Sequence, residues 1–288
     1  MRQAFCFSKN NGEYLNSAKI RQRNARILYV MTRVITITSG KGGVGKTTVT
    51  ANLGRALAAL NKKVVVVEGD IGLNNLDVCL GAEEKIVFDA GEVALGKATV
   101  AQAVVPLGEN LSFFPATTSA SNLITTDVFL DIVRELKNFF DYVLIDSPAG
   151  LEENFHRSSV GATEGILVVT PHISSVRDGS KTVKALASYG IHNVGLVVNR
   201  VRGEFVEDKT SLSPEEIAKS LHLPILGVLP EDDYLNLYGL ADVESRRSDT
   251  TYSYSLIAEN LEKGSHKIFD YRAKYKGFGN KMKRWLGL

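Results

Sequence analysis

VITITSGKGGVGKTT, residues 34–48, is the stretch of the chain that decides its fold. A short run of β-branched residues predicts a strand over 34–38, and a helix pattern follows over 46–60. The glycine-rich segment between them fits GxxxxGK[ST], a spacing that binds phosphate when it joins a strand to a helix. Its glycines let backbone N–H groups turn inward around phosphate oxygens, and the helix N-terminus adds its positive end. We therefore predict a nucleotide-binding loop.

Two lysines and a threonine give this loop its chemistry. Lys46 is expected to reach the β- and γ-phosphates of ATP, and the Thr47 hydroxyl is expected to bind Mg²⁺. Lys41, at the start of the loop, could on its own be a solvated charge. The predicted ATP contacts in the loop are Gly40, Lys41, Gly42, Gly43, Val44, Gly45, Lys46, Thr47 and Thr48.

Short apolar runs alternate with amphipathic segments through most of the chain. Runs such as VVVV (64–67) and ILVV (166–169) are apolar on both faces, as strands covered by helices on both sides must be. This alternation predicts an α/β fold with a doubly wound, mostly parallel sheet and helices on both faces. The predicted strands are 34–38, 64–68, 111–114, 142–146, 165–170, 194–199 and 225–229, and the predicted helices are 46–60, 122–139, 152–161, 174–189, 213–221 and 252–262.

Charge divides the chain into an acidic middle and two basic ends. Residues 1–30 carry a net charge of +5 and residues 263–288 carry +7, which leaves −10 for residues 31–262. We predict a basic, disordered extension over 1–30, a P-loop ATPase domain over 31–262 and a linker over 263–276. The acidic domain argues against nucleic acid as a partner. Met31, directly before the first predicted strand, is an alternative start of the functional chain.

Secreted and membrane-spanning classes are excluded by the sequence pattern. No run approaches the ~18 consecutive apolar residues of a spanning helix, and residues 1–30 lack the apolar core of a secretory signal. Cys6 and Cys79 lie far apart without metal-like spacing, which is typical of a reduced protein. The chain is therefore predicted to stay in the cytoplasm.

Carboxylates stand at the ends of two predicted strands. Asp146 ends the strand YVLID, where an aspartate can hold Mg²⁺ through water or serve only to form a turn. Glu68 and Asp70 stand at the end of the VVVV strand. Because ligands of parallel α/β sheets bind at the carboxyl edge, we expect all three carboxylates to lie near the phosphate loop.

Five segments resemble one group of ATPases in sequence and in order. They are SGKGGVGKTT (39–48), GDIGLNNLD (69–77), YVLIDSPAGLE (142–152), SSVRD (174–178) and LGVLPED (226–232). The first resembles the deviant Walker A signature of the MinD/ParA and nitrogenase-iron-protein group. DIGLxNLD together with SPAG and SSVRD resembles the MinD family of division-site ATPases, and the resemblance covers about 31–262 and the C-terminal tail.

The resemblance implies a Mg²⁺-dependent ATPase that pairs face to face as an ATP-bound homodimer. It also implies cycling between the cytoplasm and the inner face of the cell membrane, and positioning of the division septum. Catalytic roles fall on Lys41, Lys46 and Asp70. In the family, the residue matching Lys41 crosses to the partner's nucleotide, and the residue matching Asp70 helps to orient the attacking water. Asp146 matches the aspartate that holds Mg²⁺ through water.

Further residues are assigned by the same resemblance to the adenine and to partner proteins. Asn199, Pro230 and Glu231 match the region that reads the adenine. Asp178 lies in the helix where family members meet their partners. Those partners would be MinC-like proteins and MinE- or MinJ-like regulators.

Two residues depart from the family pattern. Glu68 stands where the family usually has aspartate, and Asn74 stands where it usually has arginine. The longer Glu68 side chain could still reach the Mg²⁺ shell, with hydrolysis slower or differently triggered. Asn74 removes a charge beside the predicted site, which leaves partner specificity open.

The last segment, GFGNKMKRWLGL (277–288), predicts an amphipathic helix. Its large apolar residues recur at helical spacing, and lysine and arginine take the other side. Such a helix is typical of an interfacial membrane anchor, and MinD proteins carry a membrane-targeting helix at the same place. The alternatives are a terminal helix docked on its own domain and an unbound basic tail. The residues predicted to enter the membrane are Phe278, Met282, Trp285 and Leu286.

Three other functions compete with division-site positioning. An FlhG-like regulator of flagellar number shares many of these features, but residues 1–30 lack the DQAxxLR-type motif usual in that family. A ParA-type DNA-segregation ATPase fits the basic N-terminal arm but not the acidic body or the amphipathic tail. A catalytically idle module that uses ATP only to hold a dimer together is compatible with Glu68.

Overall fold

The computed structural model describes residues 32–72, 75–117, 121–150, 153–232 and 248–275. The predicted extension (1–30), the predicted membrane helix (277–288) and Asn74 lie outside the described residues. Within the described ranges, no helix combines the length and the apolar character needed to cross a membrane.

Eight strands of the described chain form one sheet. They are β1 (Arg33–Ser39), β2 (Val64–Glu68), β3 (Val105–Pro106), β4 (Leu111–Phe114), β5 (Tyr142–Ala149), β6 (Glu164–Val169), β7 (Val194–Val201) and β8 (Ile225–Pro230). Their order across the sheet is β3, β4, β2, β5, β1, β6, β7, β8. All neighbours are parallel except the short edge pair of β3 and β4. The predicted mostly parallel sheet is confirmed.

Ten α-helices fall within the described residues. They are α1 (Lys46–Ala59), α2 (Leu76–Leu80), α3 (Ala90–Ala94), α4 (Val100–Ala103), α5 (Thr126–Leu136), α6 (Glu153–Val160), α7 (Ile173–Ser188), α8 (Gly203–Glu207), α9 (Pro214–Leu221) and α10 (Asp249–Lys263). The six predicted helices are all present, with shifted ends. The sequence did not predict α2, α3, α4, α8 or β3, because elements of five residues or fewer hold too little of an apolar period.

Alternate side chains of a central strand such as β2 pack into hydrophobic cores on opposite faces of the sheet. Val64 and Val66 of β2 join the cluster that contains the apolar side of α1 and α10. Val65 and Val67 point the other way, into the cluster beneath α5. A third cluster lies beneath α6, α7 and α9. The sheet is thus covered on both faces, and all its parallel strands end at one edge.

The segment after α10 lies against the domain instead of leading away from it. We call residues 264–275 the C-terminal strap; they make up most of the predicted linker (263–276). The Asn260 side chain binds both backbone groups of Lys267, with Nδ2 to O at 2.8 Å and N to Oδ1 at 3.0 Å. Tyr271 is 7% exposed and belongs to the core beneath α7 and α9. Because the strap is otherwise polar, its sequence does not predict that Tyr271 is buried.

Polar contacts hold the end of the strap beside α9 and the start of α10. The Tyr271 hydroxyl donates to Glu215 Oε2 at 2.8 Å, and Lys274 pairs with Asp249, the first residue of α10. Arg272 lies 3.4 Å from Glu215. The strap therefore runs back along α10, from its C-terminal end to its N-terminal end.

Replacing Gly203 by alanine is expected to destabilise the domain. A Cβ at Gly203 would come within 2.1 Å of the Tyr271 carbonyl oxygen, so the strap backbone would have to move. Overpacking of this kind costs about 1–3 kcal/mol. For a domain of this size, each kcal/mol lowers the melting temperature by about 2–4 °C. A thermal melt measures the effect.

Gly108→Ala is the matched control, because a Cβ at Gly108 would meet no atom within 4 Å. Its melting temperature should stay near that of the wild type. Equal melting temperatures for the two variants would mean that the strap does not contribute to stability.

Candidate nucleotide-binding site

The phosphate loop joins β1 to α1 and depends on glycines at two turns. Gly43 and Gly45 have φ values of +75° and +92°, a left-handed conformation that favours glycine. A Cβ on Gly45 would also lie 2.4 Å from Asn199 Nδ2. Gly45 is the N-cap of α1 and provides no side-chain cap. The first N–H groups of α1 are therefore available to an anion, as the sequence predicts for phosphate.

The two predicted Mg²⁺ residues lie in contact. Thr47 Oγ1 donates to Asp146 Oδ2 at 2.7 Å, and Thr50 Oγ1 donates to Asp146 Oδ1 at 2.9 Å. Asp146 is 2% exposed and lies within β5, which continues to Ala149, directly beside the start of α1. This arrangement presents a hydroxyl and a carboxylate, both of them oxygen ligands that suit Mg²⁺.

Lys46 lies close enough to both predicted site aspartates to affect their ionisation. Burial raises the pKa of Asp146, and the positive charge of Lys46 opposes that shift. Burial also raises the pKa of the half-buried Asp70, again opposed by Lys46. The structure thus brings together Lys46, Asp70 and Asp146, which are far apart in the sequence.

Glu68 is buried beside Asp146, but its carboxylate contacts backbone. Glu68 of β2 pairs in register with Asp146 of β5. Burial, with a further contribution from the charge of Asp146, raises the pKa of Glu68 to about 7. Its two oxygens accept hydrogen bonds from the N–H groups of Asp70, Asn75 and Leu76. Glu68 thus contacts the backbone that follows β2, and its reach to the Mg²⁺ shell stays a prediction.

The beginning of the loop packs on the helix predicted to meet partner proteins. A Cβ on Gly40 would lie 2.3 Å from the Asp178 carbonyl carbon, so only glycine allows this approach of the loop to α7. Lys41 is exposed, and its Nζ lies 3.5 Å from Ser174 Oγ near the start of α7. Asp178 pairs with Lys181 one turn later on the same helix. Sequence reasoning did not anticipate this contact between the loop and α7.

The residues predicted to read the adenine line one cleft with the end of the phosphate loop. The cleft is lined by Gly45, Thr48, Asn199, Pro230, Glu231 and Tyr254, among others. Asn199, in β7, also donates from Nδ2 to the Val44 carbonyl at 2.8 Å. This bond connects the phosphate loop to β7. Tyr254 was not predicted here, because the pattern of α10 indicates only a helix that packs on the sheet.

Comparison with known proteins agrees with this geometry. The family model for the CobQ/CobB/MinD/ParA nucleotide binding domain matches residues 35–240. The septum site-determining protein MinD of Synechocystis is 39% identical over 263 residues, which cover 89% of this chain and 99% of that protein. The chain belongs to the MinD family.

Solved structures of MinD proteins share the fold. MinD in the MinC:MinD cell division complex of Aquifex aeolicus is 37% identical, with a TM-score of 0.76 over 81% of this chain and 97% of that chain. MinD of Pyrococcus horikoshii, solved with Mg-ADP, is 32% identical, with a TM-score of 0.73 over 81% of this chain and 97% of that chain. The resemblance to MinD that the sequence predicts is therefore confirmed, and the chain is a nucleotide-binding ATPase of that family.

Proposed function

We propose that this chain is a Mg²⁺-dependent ATPase that dimerises on ATP, binds the membrane while dimeric and positions the division septum. One observation carries the proposal: Thr47 of the phosphate loop is bonded to the buried Asp146, with Lys46 near both Asp146 and Asp70. The septum site-determining relatives support the biological role.

The residues at the loop fit a divalent cation. Thr47 and Asp146 offer hard oxygen atoms 2.7 Å apart. Bound Mg²⁺ would neutralise phosphate charge, with Thr47 as a direct ligand and Asp146 as a ligand through water. The Mg-ADP in the Pyrococcus horikoshii relative supports this assignment.

Hydrolysis would depend on positioning by the chain's own groups. The N–H groups of the loop and the Lys46 ammonium would hold the phosphates and stabilise the charge that develops on the transferred group. Asp70, half-buried beside Lys46, would accept a hydrogen bond from the attacking water and hold it in line with the γ-phosphate.

Dimerisation would use the second lysine of the loop. Lys41 is exposed at the mouth of the site, and its contact with Ser174 is long at 3.5 Å. A side chain held so weakly can turn outward to the nucleotide of a second copy at little cost. The predicted trans role of Lys41 is therefore compatible with its position.

We expect Lys41→Ala to bind ATP normally but to remain monomeric. The change leaves Lys46 and the N–H groups of the loop in place, so ATP affinity should stay within about threefold, or less than 1 kcal/mol. Size-exclusion chromatography with Mg-ATP measures the dimer, and Lys219→Ala, an exposed lysine on α9, is the matched control. A dimer peak unchanged by Lys41→Ala would show that Lys41 does not act across the interface.

A MinC-like protein is the partner that the comparisons favour. The Aquifex aeolicus structure is a MinC:MinD complex, and its MinD matches 81% of this chain. The exposed start of α7 offers Ile173, which is 77% exposed, next to Ser174, the residue that Lys41 contacts. We assign the partner surface to this part of α7. A MinE- or MinJ-like regulator would act at the same nucleotide-dependent surface.

Membrane binding would use residues 277–288. A helix of a dozen residues is marginal in water, so the tail would become helical as it binds lipid. One tail binds weakly, whereas two tails on a dimer act together through effective concentration. The protein would thus alternate between the cytoplasm and the inner face of the cell membrane as ATP is bound and hydrolysed.

A further inference from the structure

The buried carboxylate of Glu68 is the anchor of the segment that follows β2. Oε1 accepts from the N–H of Asp70 at 3.1 Å, and Oε2 accepts from the N–H groups of Asn75 at 3.2 Å and Leu76 at 3.0 Å. The side chain is 3% exposed, so water does not compete for these bonds. Hydrogen bonds to a buried carboxylate are stronger than those between neutral groups.

These bonds replace a missing helix cap. Asn75 is the N-cap residue of α2, and its side chain makes no capping bond. The first N–H groups of a helix need partners, and Glu68 supplies one acceptor to Asn75 and Leu76 together. The same carboxylate also holds the N–H of Asp70. Both ends of the segment 70–76 are therefore tied to one side chain of the sheet.

The Glu68 carboxylate is buried next to a second carboxylate, that of Asp146. Glu68 lies in register with Asp146, and two buried carboxylates side by side repel each other. Burial of a charge is tolerated where hydrogen bonds compensate it. The three backbone bonds offset part of this cost, and they tie the backbone of Asp70 to the end of β2 next to the phosphate loop.

We propose that Glu68 is a positioning residue for ATP hydrolysis: its carboxylate holds the backbone N–H groups of Asp70, Asn75 and Leu76 and thereby keeps Asp70 in place for the attacking water. The proposal rests on the ATPase function proposed above. Side-chain length is part of it, because an aspartate at 68 is one methylene shorter and cannot reach all three N–H groups unless the backbone moves. A glutamine keeps the length but replaces one acceptor oxygen by an NH₂ group, which cannot accept.

The test compares Glu68→Asp and Glu68→Gln with Glu164→Gln. Glu164 is another partly buried carboxylate, paired with Arg33 at 2.6 Å at the opposite edge of the sheet, so its variant controls for general destabilisation. Three quantities are measured on the full chain: kcat and KM for ATP, affinity for a fluorescent ATP analogue, and amide hydrogen exchange.

Both Glu68 variants should lower kcat by about 10- to 100-fold, the effect expected when a catalytic group is misplaced by about 1 Å. KM and analogue affinity should change little, because Glu68 does not belong to the phosphate loop. Exchange at the amides of Asp70, Asn75 and Leu76 should speed up by about tenfold or more, while exchange in the core strands should not change. Glu164→Gln should leave kcat and these three amides near wild type.

Wild-type kcat and wild-type exchange in both variants would overturn the proposal. Parallel losses of nucleotide and Mg²⁺ affinity would instead place Glu68 in the metal shell, which also contradicts it. If the wild-type protein itself did not hydrolyse ATP, the proposed function would fail, while the exchange rates would still decide whether Glu68 holds the N–H groups of Asp70, Asn75 and Leu76.

Discussion

Lys46→Ala is expected to abolish ATP binding. Lys46 is the loop cation predicted to reach the β- and γ-phosphates, and it lies near the carboxylates of Asp70 and Asp146. Each hydrogen bond to a charged group contributes about 1.5–3 kcal/mol, so two lost phosphate contacts should weaken ATP binding by at least about 100-fold. Removal of the lysine also leaves the neighbouring carboxylates to repel the phosphates. Isothermal titration with Mg-ATP measures the loss.

Lys137→Ala serves as the control, because the Lys137 side chain is exposed at the end of α5, away from the site. This control should bind ATP with wild-type affinity. Normal affinity in Lys46→Ala would remove the basis for assigning residues 40–48 to the nucleotide.

Trp285→Glu is expected to abolish ATP-dependent membrane binding. The substitution places a charge in the middle of the predicted apolar stripe of residues 277–288. Full burial of a large apolar side chain contributes about 1.5–3 kcal/mol, and the new charge would have to enter the acyl boundary. A dimer carries two tails and suffers the loss twice. Co-sedimentation with anionic vesicles and ATP measures binding, and lipid-free ATPase turnover should be nearly unchanged.

Trp285→Phe keeps the stripe apolar and should keep most of the binding. Salt should weaken wild-type binding only in part, because screening removes the contribution of the basic residues and leaves the apolar contribution. Vesicle binding by Trp285→Glu would show that the tail is not the anchor. A melting temperature several degrees lower in this variant would favour a helix docked on its own domain.

The sequence predicted the elements that have a clear period or a motif. The apolar run of β2 and the loop with Lys46 are local signals, so they were placed correctly. Helices such as α3 and α4 were missed because each is set by a capping box, Asp89 with Glu92 and Thr99 with Gln102, and not by a periodic apolar face. The packing of Tyr271 was missed for the same reason: a single buried residue in a polar segment leaves no pattern.

The parts of the site that could be predicted from the sequence are those in which the residue type itself indicates a chemical role. Thr47 and Asp146 were both assigned to Mg²⁺ from the sequence, and their contact in the structure is compatible with that prediction, because the carboxyl ends of parallel strands lie at one edge of the sheet. The hydrogen bond from Asn199 to Val44 and the three bonds to Glu68 depend on side-chain direction in the fold, which the sequence does not specify. These contacts connect the strands to the loop and to the segment that carries Asp70.

The measurement that tests the central claim most directly is co-sedimentation of the wild-type chain with anionic vesicles in Mg-ATP and in Mg-ADP, with duplex DNA as a parallel arm. ATP-dependent pairing of two tails predicts that the protein pellets with vesicles in ATP, stays in the supernatant in ADP and does not bind DNA in either state. Equal vesicle binding in ATP and ADP would contradict nucleotide-controlled membrane cycling. Binding to DNA without binding to vesicles would contradict membrane association and favour a ParA-type role.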